Sequence, residues 1–456
     1  MFAPVNQGIR RISTSKVAYT MCWPSNEFGP DRVQRTFMFN GIKVAASKTM
    51  GNQMAACTVM FQAGSRHEVC DDLGVSHFLR VMSAASSQGC SSFSKVRVLQ
   101  QLGAHLTCTS TRQYTAYTLA CPPPLFPDIK YYLLDTATRG CFNDWDISDV
   151  RPHIRDDLTR LSPEQRVIDL VQKAAFSGPL SNSIYCEEDR INDISHSKMC
   201  NFVHQNFRTC ECTVASVGLP FEETLKVADK IDTQQRRMGE SACCYAESRP
   251  KRGFESHDLG SCSETWIAAV LPGCGTMDFG RLMKLAVVAE ACGTGNVSQG
   301  QHDTDRVGQG ALSDFSKDIF TDYRAFNISY FETGLFGIVG KSLASNACTT
   351  AKNVVCFLSK LDCLTEDQLE LGRRRLKLAL AQEYDNCVAE SHSLALQLAN
   401  NVQFNNVQEL LASVDCIPIE ELSATVKNLS SKKCDMALAI VGDLGAAPHD
   451  KELLNF

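Results

Sequence analysis

Two stretches in which apolar and polar positions alternate repeat each other along the chain. Residues 104–121, AHLTCTSTRQYTAYTLAC, read as a strand, a polar turn at Thr111-Arg112-Gln113 and a second strand. Residues 326–343, FNISYFETGLFGIVGKSL, have the same form, with their turn at Glu332-Thr333-Gly334 about 220 residues further on. A second pair agrees with the first. NFRTCECTVASVGL (206–219) and NLSSKKCDMALAIVGDL (428–444) each join a helix-like tail to a short apolar strand that ends in Val-Gly. Val217-Gly218 and Val441-Gly442 stand 224 residues apart. One offset found twice predicts a duplicated domain of about 200 residues, not a short-period solenoid.

Around these echoes strands alternate with long helices. MAACTVMFQAG (54–64) predicts a strand, and LTEDQLELGRRRLKLALAQE (364–383) a helix opened by a capping box, Thr365 followed by Gln368. Ser162-Pro163-Glu164-Gln165 gives the same start signal ahead of RVIDLVQKAAF. Residues 233–258, with TQQRRMGESA and SRPKRGFESHD, read as an exposed linker on their charge, proline and glycine content. The expected class is α+β: two homologous domains, 31–232 and 259–456, each a mostly antiparallel sheet backed by helices, after an N-terminal extension of residues 1–30.

Composition narrows the function classes. With 45 Lys+Arg against 51 Asp+Glu the formal net charge is −6, which argues against a nucleic-acid binder or attachment to anionic lipid by charge alone. No run of apolar residues approaches the ~18–20 needed to span a bilayer. The 22 cysteines are spread along the chain with no C-x-x-C pair, so they read as free thiols filling space in a reducing compartment. Arg10, Arg11 and Lys16, interleaved with Ser13, Thr14 and Ser15 and with no acidic residue before Glu27, have the composition of a mitochondrial transit peptide.

The stretch that bears on chemistry is AGSRHEVCDDLGVSHFLRVM (63–82). A turn rich in Asp and Gly leads into a helix whose Val75, Phe78, Leu79 and Met82 form a core-facing stripe, while His77, Arg80 and Val81 share a neighbouring face. Here the chain resembles the pitrilysin-type, or inverted-zincin, metallopeptidases, which carry H-x-x-E-H in this helix after A-G-S-R and L-G-x-S/T-H-F-L. Ala63-Gly64-Ser65-Arg66, Leu73-Gly74 and Ser76-His77-Phe78-Leu79 carry the resemblance. In an active member the two histidines bind zinc and the glutamate activates its water. Arg80 stands here in place of the glutamate and Val81 in place of the second histidine. Val81 has no lone pair, and a permanently charged guanidinium is no general base and repels a divalent cation. The family's third ligand, a downstream glutamate, falls near Asp156 and Asp157. The expectation is a degenerate, non-catalytic peptidase domain with no metal.

Within that family the run SHFLRVMSAASSQGCSSFSKVRVLQQLGAHLTCTSTRQYTAYTLAC, the segment IYCEEDRI (184–191), FNISYFETGLFGI (326–338) and GDLGAAPHDKEL (442–453) resemble the core subunits of ubiquinol–cytochrome c reductase, respiratory complex III. That resemblance implies a structural subunit on the matrix side of the mitochondrial inner membrane, paired with a core protein 1 and docked on cytochrome b and other complex III subunits. It further implies no haem, no iron–sulfur cluster and no other cofactor, with the iron–sulfur subunit's presequence as a possible peptide partner of the pair. The alternative within the family is a non-catalytic α-type subunit of the mitochondrial processing peptidase, presenting presequences to a zinc-bearing partner. Such a subunit favours a long glycine-rich loop, and ACGTGNVSQGQ (291–301) is short, with no P-loop ending. RRRLK (373–377) reads as the solvated or partner-facing side of its helix.

Overall fold

A computed structural model describes residues 33–47, 54–231, 233, 248–293, 311–314, 321–402 and 407–448. The N-terminal extension, residues 234–247 of the linker and residues 294–301 of the glycine-rich segment lie outside these. The first half runs β1 (Gln34–Phe37), β2 (Lys43–Ser47), β3 (Ala55–Phe61), α1 (Val75–Val81), α2 (Ser92–Gln101), β4 (His105–Ser110), β5 (Thr115–Cys121), α3 (Phe126–Thr138), α4 (Asp144–Thr159), α5 (Pro163–Ala175), β6 (Phe176–Ser177), α6 (His196–Asn206), β7 (Cys212–Val217) and α7 (Phe221–Asp229). The second runs β8 (Arg249–Pro250), β9 (Phe254–Asp258), β10 (Thr265–Pro272), α8 (Phe279–Cys292), β11 (Asp322–Ser329), β12 (Gly334–Ser342), α9 (Ala347–Ser359), α10 (Glu366–Tyr384), α11 (Cys387–Ala399), α12 (Val407–Asp415), α13 (Ile419–Ser431) and β13 (Ala437–Gly442).

The strands form two large sheets of order β1-β2-β7-β3-β5-β4 and β11-β12-β10-β13-β9. Read from the β4 and β11 edges they correspond in order strand for strand, β4-β5-β3-β7-β2 with β11-β12-β10-β13-β9. Even the exceptions match: β2 with β7 and β9 with β13 are the parallel pairs, and the other ladders are antiparallel. The α+β class and both sequence echoes therefore hold in three dimensions, with β7 and β13 as the Val-Gly strands. β9 lies inside the stretch read as a linker, where it forms an edge strand of the second sheet, and Phe176-Ser177 of β6 pairs with Arg249-Pro250 of β8.

Every residue of β3, β5, β7 and β13 is buried, because helices cover both faces of each sheet. One face of the first sheet, through Cys57, Val59, Phe61 and Leu119, packs on the helices of its own half, including α1, α3 and α4. The second sheet does the same with Ile267, Ala269 and Leu271 against α8, α9 and their neighbours. The opposite faces are covered by exchange. Val167, Ile168 and Val171 of α5 pack on Ala268, Val270 and Val339 of the second sheet. Leu394 and Ala395 of α11 pack on Met60, Ala116, Ala215 and Val217 of the first. The two exchanged helices start 224 residues apart, at Pro163 and Cys387, and each has 13 residues.

Local chemistry fixes the helix starts as the sequence indicates. Thr365 Oγ1 accepts from the Gln368 N–H at 3.3 Å and Gln368 Oε1 accepts from the Thr365 N–H at 3.0 Å. Ser162 Oγ accepts from the Gln165 N–H at the head of α5. The basic run on α10 departs from its expected role. Arg373 donates to the Ile417 carbonyl at 2.6 Å, Arg375 to the Glu290 carbonyl in the last turn of α8 at 3.3 Å, and Lys377 pairs with Asp415 at 2.7 Å. Three of the four cations thus bind neighbouring elements of their own half, and Arg374, the most exposed, pairs only with Glu370 of its own helix at 3.7 Å. Gly372 lets α10 lie this close to α8, since a Cβ there would sit 2.7 Å from the Val287 carbonyl oxygen. Among the described residues no helix is long and apolar enough to cross a membrane.

Candidate functional site

His77, Arg80 and Val81 lie on α1, a helix of 7 residues entered through a left-handed Gly74 (φ 97°). That glycine is required, because a Cβ would come 2.5 Å from Cys186 Sγ. Glu68 organises the entry. Its buried carboxylate accepts from the Gly74 N–H at 2.9 Å, the Ser76 N–H at 2.7 Å and the Ser76 hydroxyl at 2.6 Å. Burial pushes the Glu68 carboxyl up to about 7, against the pull of those donors. Asn182 ties the turn below it, donating to the carbonyls of Ser65 and Glu68. Arg66 leaves the turn to reach Glu332 in the equivalent hairpin of the second half at 2.7 Å.

The stripe of Val75, Phe78, Leu79 and Met82 is buried in the core of the first half, as its spacing predicts. His77 has no exposed surface. Its Nδ1 accepts from the Cys186 N–H at 3.1 Å, which leaves the proton on Nε2, donated to Asp157 Oδ2 at 2.8 Å. Burial lowers the basicity of the ring, with Asp157 opposing and the Arg80 charge reinforcing that effect, and the lone pair that Nδ1 offers the Cys186 N–H is that of a neutral imidazole. Arg80 donates to the same Asp157 oxygen at 2.6 Å, and its guanidinium lies 5.9 Å from the Tyr185 ring centroid. The hydrogen bond from His77, opposed by burial and helped by Arg80, holds the Asp157 carboxyl below its ordinary range. Val81 packs half-buried against the core.

Of the two acidic candidates on α4, Asp157 reaches His77 while Asp156 makes a surface pair with Arg160. Cys186 and Tyr185 complete the site from a segment more than a hundred residues away in sequence; both lie in IYCEEDRI, but a backbone N–H leaves no signature that spacing can show. Among the described residues the cysteines are free, and burial pushes the thiols of Cys57, Cys108 and Cys186 up to about 12, where they are poor nucleophiles. Among the same residues no group of three His, Cys, Asp or Glu side chains is arranged to hold a metal ion.

Residues 43–188, which span the first sheet's β2 to β5 and the whole of this site, match the family model described as Insulinase (Peptidase family M16). A solved chain titled Complex III2 from Candida albicans, Inz-5 bound, superposes with a TM-score of 0.75 over 93% of this chain and 99% of that one, at 15% identity. The fold is of the M16 type. Among curated proteins, the chain is 26% identical over 433 residues to human cytochrome b-c1 complex subunit 2, mitochondrial, covering 93% of this chain and 92% of that protein. It is 23% identical over 435 residues to mitochondrial-processing peptidase subunit alpha of Solanum tuberosum, covering 92% of this chain and 84% of that one.

Proposed function

We propose that the chain is a non-catalytic structural subunit of mitochondrial ubiquinol–cytochrome c reductase, of the core protein 2 type. The observation that carries this is the His77–Asp157–Arg80 triad, together with the near full-length similarity to cytochrome b-c1 complex subunit 2. A zinc site of the inverted-zincin kind needs two imidazole lone pairs and a carboxylate. Here one imidazole is bonded at both nitrogens, the second position is an alkyl side chain, and a guanidinium already neutralises the carboxylate. These residues do not fit zinc. The cation of Arg80 serves the carboxylate as a metal would, so the helix packing survives while the hydrolytic chemistry is lost.

In this reading the chain sits on the matrix side of the inner membrane, pairs with a core protein 1 chain, and supports cytochrome b and the other membrane subunits. The second reading is an α-type processing-peptidase subunit, favoured by the similarity to the Solanum tuberosum protein over a comparable length. A tagged pull-down from mitochondria in mild detergent separates the two. Cytochrome b and its companions in one large assembly support the first reading. A soluble pair whose partner bears an intact H-x-x-E-H supports the second and removes the first. One tightly bound zinc per purified chain would overturn the non-catalytic assignment in both.

A further inference from the structure

Helix α10 carries leucines on two opposite faces. Its inner stripe, Leu369, Leu376 and Leu380 with Gly372 between them, is buried in the core of the second half. A helix at the surface of a domain ordinarily has one such stripe and a polar outer face. Here the outer face bears Leu371 and Leu378, 41% and 60% exposed. They stand one turn to either side of Arg374, whose side chain is 75% exposed. With exposed Asp367 and Ala381, and Asp385 at the C-cap, they follow one another at intervals of 4, 3, 4, 3 and 4 residues. That spacing keeps a row of side chains on one line along a helix, the line along which a second helix packs.

The charge at the centre of this row is not balanced within the helix. Arg374 approaches Glu370 only to 3.7 Å, and the same carboxylate is paired with Arg373 at 2.9 Å. One carboxylate between two guanidiniums leaves a positive surplus, and it lies between two exposed leucines. The complement of such a face is a helix with apolar residues along its contact and an Asp or Glu level with Arg374. A second copy of α10 does not supply this. In a parallel pair Arg374 would meet itself. In the antiparallel pair that uses the whole row, Asp367 would meet Asp385 and Arg374 would meet Leu378, so like charges are opposed and the arginine is left without a counter-charge.

We propose that the outer face of α10 docks an amphipathic helix of a different chain, its apolar residues against Leu371 and Leu378 and an acidic residue on Arg374. The inference does not depend on which assembly the chain enters, since it states the chemistry of the partner's face. It is tested in the full-length tagged chain, made in its own cells, with Leu378 replaced by the photocrosslinker benzoylphenylalanine. After irradiation the cross-linked peptides are sequenced by mass spectrometry. A cross-link to another chain is expected, in a segment with apolar residues three and four positions apart and an Asp or Glu within one turn. Arg374→Glu should lower the cross-linked yield at least about fivefold while cooperative unfolding persists, because the side chain is exposed. Changing the partner's acidic residue to Lys should restore the yield in that background. Arg374→Gln serves as a second variant, removing the charge without setting a carboxylate beside Glu370, and should give a smaller loss. Absence of a cross-link overturns the proposal. So does a cross-link to a second copy, to lipid or to a segment without an acidic residue, or an unchanged yield in folded Arg374→Glu.

Discussion

Helix α5 covers the second sheet with large apolar side chains, Val167, Ile168 and Val171, whereas α11 covers the first with Leu394, small residues such as Ala395 and Ala399, and a row of polar groups. On α11, Ser391 Oγ lies 2.9 Å from Thr58 Oγ1, which in turn meets Thr118 Oγ1 at 2.9 Å. The buried Glu390 carboxylate accepts from Ser47 at 2.9 Å, and Lys43 crosses to the Leu398 carbonyl and Asn401. On α5 the buried polar groups reach the hairpin ends of the two halves instead. Asp169 pairs with Arg112 of the first hairpin turn at 2.6 Å, and Gln172 accepts from the Tyr330 hydroxyl of the second half. Burial disfavours the Arg112 charge, yet Asp169 beside it holds the guanidinium above its ordinary basicity. Corresponding helices on the two like sheets are thus held by hydrophobic burial in one case and by small-residue packing with hydrogen bonds across the contact in the other. The difference teaches that the exchange is a property of the backbone arrangement, and that each contact fails under a different perturbation.

The sharpest break is removal of one helix from its sheet. Residues 1–232 expressed alone lack α11, so Met60, Ala116, Ala215 and Val217 lose their cover, and no cooperative thermal transition is expected by calorimetry. A sharp transition in that fragment would mean the exchange is dispensable. Next comes Phe176→Ala at the end of α5, a ring with no exposed surface that packs edge-on against Tyr330 at 5.8 Å. About 3–5 kcal/mol of stability should be lost in denaturant titration. Asp169→Asn, which leaves the buried Arg112 without its counter-charge, should cost about 3 kcal/mol. On α11 the effects are of another kind. Ala395→Leu is expected to cost about 1–3 kcal/mol through overpacking, and Ser391→Ala only about 1 kcal/mol, because Thr58 keeps Thr118 as a partner.

The smallest effect belongs to His77, whose partners all lie outside both helices. Its basicity is lowered on folding, so the unfolded chain binds the proton more readily. The stability from a neutral His77 is present above the ordinary histidine range and declines as pH falls through about 6.5 towards the lowered folded value. A His77→Gln chain should lose that slope in pH-dependent melting. An unchanged slope would assign it to another group.

Much of this was legible beforehand, for identifiable reasons. The hairpins, the Val-Gly strands, the caps at Ser162 and Thr365 and the core stripe of α1 rest on local patterns, and local patterns survive in sequence. The exchange was not legible, because the apolar face of RVIDLVQKAAF looks the same whichever sheet it covers. β9 was hidden for a similar reason. FESHD is an edge strand, half exposed and charged, and lacks the apolar alternation that marks an inner one. At the site, His77, Arg80, Val81 and the Asp156/Asp157 pair could be picked out by residue type. Choosing Asp157, and finding the Cys186 N–H and Glu68 beneath it, required geometry that spacing does not encode.

Because each copy's helix is seated on the other copy's sheet, neither copy can drift alone. A bulkier residue at Ala395 has to be answered among Met60, Ala116 and Ala215, in the half that did not mutate, and Val171 answers in the same way to Val270 and Val339. A change on either helix therefore has to be accommodated across the chain, by residues some two hundred positions away in the other half.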